Sequence, residues 1–160
     1  MTQEQVFVKM ALNGWESTIK RTDALFKGLD DGALSKEIAP GRNRGIYLLG
    51  HLTAVHDAMP VILGLGERKY PELENIFLTN PDKSGLDMPS IPTLREYWAE
   101  TNDRLAGLFT KVPSGDWFNK HESVSPEDFA KEPYRNKLNV LLGRTQHLAS
   151  HLGQLVLLKK

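Results

Sequence analysis

Four segments of apolar residues at helical spacing, separated by stretches rich in proline and glycine, constrain the fold of this chain most. Apolar residues recur at steps of three and four along residues 3–30, 43–65, 93–112 and 136–158, as expected for helices with one buried face. No segment carries a clear strand pattern. Four helices of about twenty residues predict an all-α four-helix bundle in which residues 1–160 form a single domain.

The connection between the second and third helices is long, and it permits an unusual topology. Residues 66–92 are rich in proline and glycine, which argues against a long regular element there. Residues 71–77 begin with proline and glutamate, so a short helix is expected within this connection. A link of this length can run along a helix of about 20 residues, or about 30 Å. The second and third helices can therefore point the same way.

Local signals predict how the individual helices begin and bend. Asn43 is a candidate cap for the second helix, and Thr93 with Glu96 forms a capping-box pattern for the third. Pro60 lacks the N–H that a helix needs at its position, so a kink is expected there. Gly14 lies in the first helix, where close packing of another backbone is the ordinary reason for a glycine.

The composition excludes several classes of protein. The chain has 20 Lys plus Arg and 20 Asp plus Glu, so no net charge favours a nucleic acid or an anionic membrane as partner. It has no cysteine, which excludes disulfides, cysteine-bound metals and a thiol nucleophile of its own. The polar start is unlike a signal peptide, and no window approaches about 18 consecutive apolar residues. These patterns predict a cytoplasmic protein without a membrane span.

A pair of histidines in the fourth helix is the main candidate for chemistry. His147 and His151 lie one helical turn apart on one face, about 40° from each other, and such a pair can bind one metal ion. A third ligand should come from a facing helix, and the second helix offers His51 and His56. These two are about 140° apart, so only one can serve. His51 is preferred because it is farther from the bend expected at Pro60.

The same histidines have a plainer interpretation. A buried histidine is usually a hydrogen-bonded core residue, so from the residues alone both a metal site and a core pair stay open. His121, beside Glu122 in a polar loop, is most simply a solvated residue, with a loop acid or base near the metal as the alternative. His56 is open to the same two interpretations, as a core residue or a member of the site.

Residues 43–57 and 147–155 resemble the two motif helices of the DinB-like superfamily, which is unrelated to the polymerase of similar name. The resemblance covers essentially the whole chain in length and helix order. It implies a four-helix bundle that binds a divalent ion, usually zinc or nickel, through His51, His147 and His151. Leu152 stands where relatives often have arginine, although Gln154 follows as expected. Gln154 is therefore a candidate to bond a ligand imidazole, a metal-bound water or a substrate.

The resemblance also implies an activity. Characterised members transfer a low-molecular-weight thiol to an electrophilic small molecule, or use such a thiol in isomerisation, and the same class is expected here. Hydrolysis by metal-bound hydroxide is the alternative enzyme hypothesis. A metal-binding or interaction bundle without catalysis is the other. The catalytic group itself stays unassigned at this point, and exposed apolar positions on the first and fourth helices predict a homodimer.

Overall fold

The computed structural model describes residues 1–159, and within them the chain is helical without a strand. The seven α-helices are α1 (Gln3–Gly28), α2 (Asp31–Leu34), α3 (Gly45–Asp57), α4 (Met59–Leu63), α5 (Ile91–Phe109), α6 (Pro126–Lys131) and α7 (Lys137–Leu155). Four of the predicted segments correspond to α1, to α3 with α4, to α5 and to α7. The prediction of an all-α bundle is therefore confirmed.

Two core clusters reveal the direction of each long helix. One cluster gathers Leu25 from the end of α1, Leu48 and Leu94 from the starts of α3 and α5, and Leu152 from the end of α7. The other cluster gathers residues from the opposite ends of α1, α5 and α7, and from α4, which follows the end of α3. They are Val8, Met59, Leu105 and Leu141. Hence α1 and α7 run one way while α3 and α5 run the other, which is the topology that the long connection permits.

The connection after α4 is fixed along the side of α3. The Tyr47 hydroxyl donates to the carbonyl of Asn80 over 2.7 Å, and the buried Asp57 carboxylate accepts from the backbone N–H groups of Lys69 and Tyr70, each over 2.9 Å. Instead of the short α-helix expected at residues 71–77, the chain forms a π-helical turn over Asn75–Thr79. This turn lies against α3, where it can support a side chain of that helix.

Two predicted helix starts are wrong in detail. Arg44, not Asn43, occupies the cap position of α3, because the Asn43 carbonyl already accepts the N–H of Ile38 in an isolated bridge. Helix α5 begins before the expected capping box, with the Ser90 side chain accepting the N–H of Thr93. At α3 a backbone pairing takes the place of the expected cap, and at α5 an earlier polar side chain does so.

The bend expected near Pro60 is present. Helix α3 ends at Asp57, and a new helix of five residues begins at Met59, with Pro60 in its first turn. Proline is tolerated in the first turn because those N–H groups have no helical partner. Together these helices form an apolar segment, Gly45–Leu63, long enough to cross a membrane, but 78% of it is buried inside the protein. That burial is typical of the core helix of a soluble protein.

The buried face of α1 does not include Phe7 and Met10, two of the apolar residues whose helical spacing predicts the first helix. Phe7 and Met10 are 50% and 64% exposed, whereas Val8 and Trp15 are buried. The bulky indole of Trp15 therefore fills the core on this face of the helix. Gly14 is exposed, and a Cβ there would meet open space, so close packing does not explain this glycine. The exposed apolar residues of α1 lie near its start, whereas Val156 and Leu157 follow the end of the parallel α7. They form two separate spots, and the homodimer stays a prediction.

Candidate metal centre

Three imidazole rings from two facing helices converge at the middle of the bundle. The Nε2 atom of His147 lies 3.2 Å from that of His51 and 3.1 Å from that of His151. Ligand atoms of the three residues all lie within 4.8 Å of one another, and each ring is partly buried. Tetrahedral bonds of about 2.0 to 2.1 Å place neighbouring nitrogens about 3.3 Å apart. Two of the three spacings therefore match the edges of a tetrahedral site, and the third is within 4.8 Å.

The backbone of the π-helical turn orients the His51 ring. Its Nδ1 lies 2.9 Å from the carbonyl oxygen of Phe77, and since a carbonyl only accepts, the proton must be on Nδ1. The Phe77 ring fills the space beside Gly50, where any Cβ would collide with it. Gly50 thus lets the turn approach α3 closely enough for this hydrogen bond. The Nε2 lone pair of His51 is left free and points toward the other two rings.

Gln154 orients the His151 ring from within the same helix. The Nδ1–H of His151 donates to the amide oxygen of Gln154 over 2.7 Å, three residues farther along α7. This bond places the Nε2 lone pair of His151 toward His147. A second partner that fixes the ring and its tautomer is usual for metal-binding histidines. Gln154 thus bonds an imidazole of the cluster, which is one of the three contacts that the sequence left open for it.

The chemistry of the donor atoms fits a divalent cation. With Nδ1–H donated outward by His51 and His151, two lone pairs face the Nε2 atom of His147. The Nδ1 atom of His147 is buried and has no hydrogen-bond partner among the described residues. A proton on Nε2 of His147 could satisfy only one of the two neighbouring lone pairs, whereas a cation among the rings would accept all three. Three neutral imidazoles are a donor set that zinc sites with an open position use.

The surroundings keep the rings of His51 and His147 neutral near pH 7. Burial lowers the pKa of His147 to about 4, and the nearby His151, His51 and Arg144 add to that shift. Burial also lowers the pKa of His51, although its hydrogen bond to Phe77 opposes the shift. Only a neutral imidazole offers a lone pair to a metal, so these shifts favour metal binding over protonation.

The two other histidines considered from the sequence, His56 and His121, lie outside the cluster. His56 is fully buried between the rings of Trp15 and Trp98, with centroids 4.8 and 5.1 Å away, and its Nδ1 lies 2.8 Å from Oδ1 of Asn102. It is a core residue, and the choice of His51 over His56 for the cluster agrees with the geometry. His121 is in a loop, where its Nδ1 accepts the N–H of Ser123.

The sequence did not reveal the residues that support His51. A glycine inside an apolar helix signals a close approach of another segment, and Gly50 carries that signal immediately before His51. Nothing in the sequence pairs it with Phe77, which is 27 residues away across an irregular connection.

The fold and the cluster define a class: an all-helical bundle with a group of three histidines that could hold a divalent metal ion. The family model described as the DinB superfamily matches residues 15–155, and the chain belongs to that superfamily. The match runs from within α1 to the last residue of α7 and includes all three histidines. No curated protein matches the chain.

Proposed function

We propose that this protein is a divalent-metal-dependent enzyme that transfers a low-molecular-weight thiol to an electrophilic small molecule. His51, His147 and His151 would be the three protein ligands, with zinc or nickel as the ion. The convergence of three Nε2 atoms, two of them backed by hydrogen bonds on the opposite nitrogen, is the observation that supports the proposal most. Membership of the DinB superfamily supports it independently.

The bound ion would lower the pKa of a thiol or a water molecule in its open position, because three neutral ligands leave its charge intact. The protein's own residues supply the geometry. Phe77 and Gln154 hold two rings in the tautomer whose Nε2 is free, so these two rings need no change of tautomer to bind an ion. The chain has no cysteine, so the thiol would be a separate molecule.

Access to the cluster is compatible with a small-molecule substrate. All three rings are partly exposed, unlike the fully buried His56, so a ligand can approach from solvent along α3 and α7. The ring of Tyr47 stacks near His51, with centroids 6.2 Å apart, and offers an apolar wall beside it. The protein would act on a diffusible electrophile in the cytoplasm rather than on a polymer, and we expect a homodimer in solution.

Two measurements test this function together. Elemental analysis of the untagged protein should find one divalent ion per chain, and a panel of low-molecular-weight thiols with a chromogenic electrophile should show turnover. His151→Ala should lose both the ion and the turnover, because two ligands bind an ion far more weakly than three. His121→Ala removes a loop histidine outside the cluster and serves as the matched control, with both signals retained.

Three results would contradict the proposal. Turnover that survives removal of the ion with a chelator would show that the cluster is not the reacting centre. Turnover of ester or amide substrates without any thiol would favour hydrolysis by metal-bound hydroxide instead. A stoichiometric ion with no turnover across the panel would favour a bundle that binds metal without catalysis.

A further inference from the structure

Arg144 is a half-buried cation without a partner on the helix that carries two of the three clustered histidines. Its guanidinium makes no hydrogen bond or ion pair within residues 1–159, and burial alone lowers its pKa. Four of the other seven arginines are paired, and the remaining three, Arg21, Arg42 and Arg104, lie outside α7. Arg44 binds Asp82, Arg68 binds Glu74, Arg95 binds two backbone carbonyls, and Arg135 binds Glu132.

The helix places Arg144 beside the metal centre. It precedes His147 by one turn and His151 by two, and it lies about 20° from His151 around the axis of α7. Its positive charge adds to the lowering of the pKa of both His51 and His147, for which burial is the main cause.

No carboxylate offsets this charge at the cluster. The three histidines bond a backbone carbonyl, an amide oxygen and one another, and neither they nor Arg144 pair with a carboxylate within residues 1–159. Leaving a partly buried cation unpaired is unfavourable, and it is more unfavourable still beside a divalent ion. A site that tolerates such a cation gains most when a bound molecule brings the opposite charge.

We propose that Arg144 binds a carboxylate of the thiol that reacts at the metal centre, so that the site selects carboxylate-bearing thiols. This inference rests on the proposed function, because it needs a thiol held at the ion. The planar guanidinium can donate two parallel N–H bonds to a carboxylate, a geometry that a lysine cannot reproduce. The carboxylate would orient the thiol, while the three histidines would hold the ion that binds its sulfur.

Cobalt-loaded protein allows the selectivity to be measured without turnover. Binding of a thiolate to Co²⁺ gives a charge-transfer absorption band, so 3-mercaptopropionate and the uncharged 2-mercaptoethanol can each be titrated. The wild type should bind 3-mercaptopropionate about tenfold more tightly, as expected for a charge-assisted hydrogen bond. Arg144→Gln should remove this preference, and Arg144→Lys should retain part of it. Arg21→Gln, which changes an exposed arginine of α1, should leave the preference unchanged.

Equal binding of the two thiols by the wild type, or a preference that survives Arg144→Gln, would overturn the inference. A second readout follows the side-chain Nε–H signal of Arg144 by NMR in zinc-loaded protein, assigned by its loss in Arg144→Lys. The signal should shift with 3-mercaptopropionate and with acetate but not with 2-mercaptoethanol. A larger shift with inorganic phosphate than with acetate would overturn the choice of a carboxylate.

The two readouts separate this inference from the proposed function. Thiols that give the charge-transfer band without a preference would leave the function standing and remove the role of Arg144. If no thiol gives the band, the thiol-transfer function fails, while a shift of the Nε–H signal with acetate would still establish Arg144 as a carboxylate site. An unmoved signal with every anion would remove that role in either case.

Discussion

His51 and His56 lie five residues apart on the same helix, yet their environments differ in every respect that matters for metal binding. His51 is partly exposed, bonds a carbonyl through Nδ1 and directs Nε2 toward two further imidazoles. His56 is fully buried between two tryptophans, bonds Asn102 through Nδ1 and leaves Nε2 without a partner among the described residues. A candidate ligand is therefore distinguished by converging free nitrogens with solvent access rather than by burial.

A lowered pKa has different consequences for His56 and for His147. Burial lowers the pKa of His56 to about 3, and it lowers the pKa of His147 in the cluster to about 4. In the core, the shift only keeps a charge out of an apolar region. In the cluster, it keeps lone pairs free for a cation. A shifted pKa by itself does not identify a site, because the same physical cause acts at both places.

The largest effect is expected when His51, the proposed ligand, is replaced. His51→Ala should lower the affinity for Zn²⁺ by more than about 100-fold, because the loss of a direct ligand exceeds that of a supporting partner. His56→Gln should change the affinity little, although it should destabilise the fold. Competition against a chromophoric zinc chelator measures both variants. Equal losses of affinity in the two variants would show that the two histidines do not differ as described.

The next prediction concerns the close contact between Gly50 and Phe77, which supports the orientation of the His51 ring. In Gly50→Ala the new Cβ would collide with the ring of Phe77, which is fully buried and has no space to move, so we expect a loss of about 2 to 3 kcal/mol in the free energy of unfolding. Zinc affinity should fall as well, because Phe77 carries the carbonyl that orients His51. Urea unfolding and the chelator competition give the two values.

Gly14→Ala is the matched control for that variant, since Gly14 also lies inside a helix but faces open space. It should stabilise the protein by up to about 1 kcal/mol through helix propensity alone. A similar stability for Gly50→Ala would mean that the close approach of Phe77 to α3 does not occur.

A smaller effect is expected at the exposed edge of the cluster. Gln154→Ala removes the acceptor for Nδ1–H of His151 and should weaken zinc binding about tenfold, with little change in unfolding because Gln154 is exposed. Gln146→Ala removes another exposed amide from α7 and should leave the affinity unchanged. Identical zinc affinities for the two variants would show that Gln154 does not support the binding of zinc by His151.

The smallest effect is expected in the pH dependence of stability that His56 causes. In metal-free protein the pKa of His56 is about 3 when folded and near 6.5 when unfolded, so below pH 6.5 the unfolded chain takes up a proton that the folded protein excludes. Stability should be complete above pH 6.5 and decline as the pH falls toward 3. At pH 6.0 the contribution of His56 is a loss of about 0.8 kcal/mol relative to high pH.

His56→Gln should remove that part of the pH dependence, while the part due to His147 should remain in metal-free protein. Urea unfolding at pH 6.0 and 8.0 measures the difference for each protein. An unchanged difference in the variant would show that His56 is not held neutral by burial.

Local patterns in the sequence are enough to predict the long helices and the pair of histidines on the fourth of them. Apolar spacing located the four long segments, and the separation of His147 from His151 required both rings on one face of a helix. These are properties of the helical period, which acts over a few residues and does not depend on distant packing.

The surroundings of those residues, in contrast, follow from long-range packing. The close approach of Phe77 to Gly50, the burial of Trp15 in place of Phe7 and the unpaired state of Arg144 each depend on which distant segments meet. Such contacts are set by the packing of whole helices and an irregular connection, and local spacing carries no information about them. For that reason the sequence could nominate three ligands, whereas the groups that orient them became visible only in the folded chain.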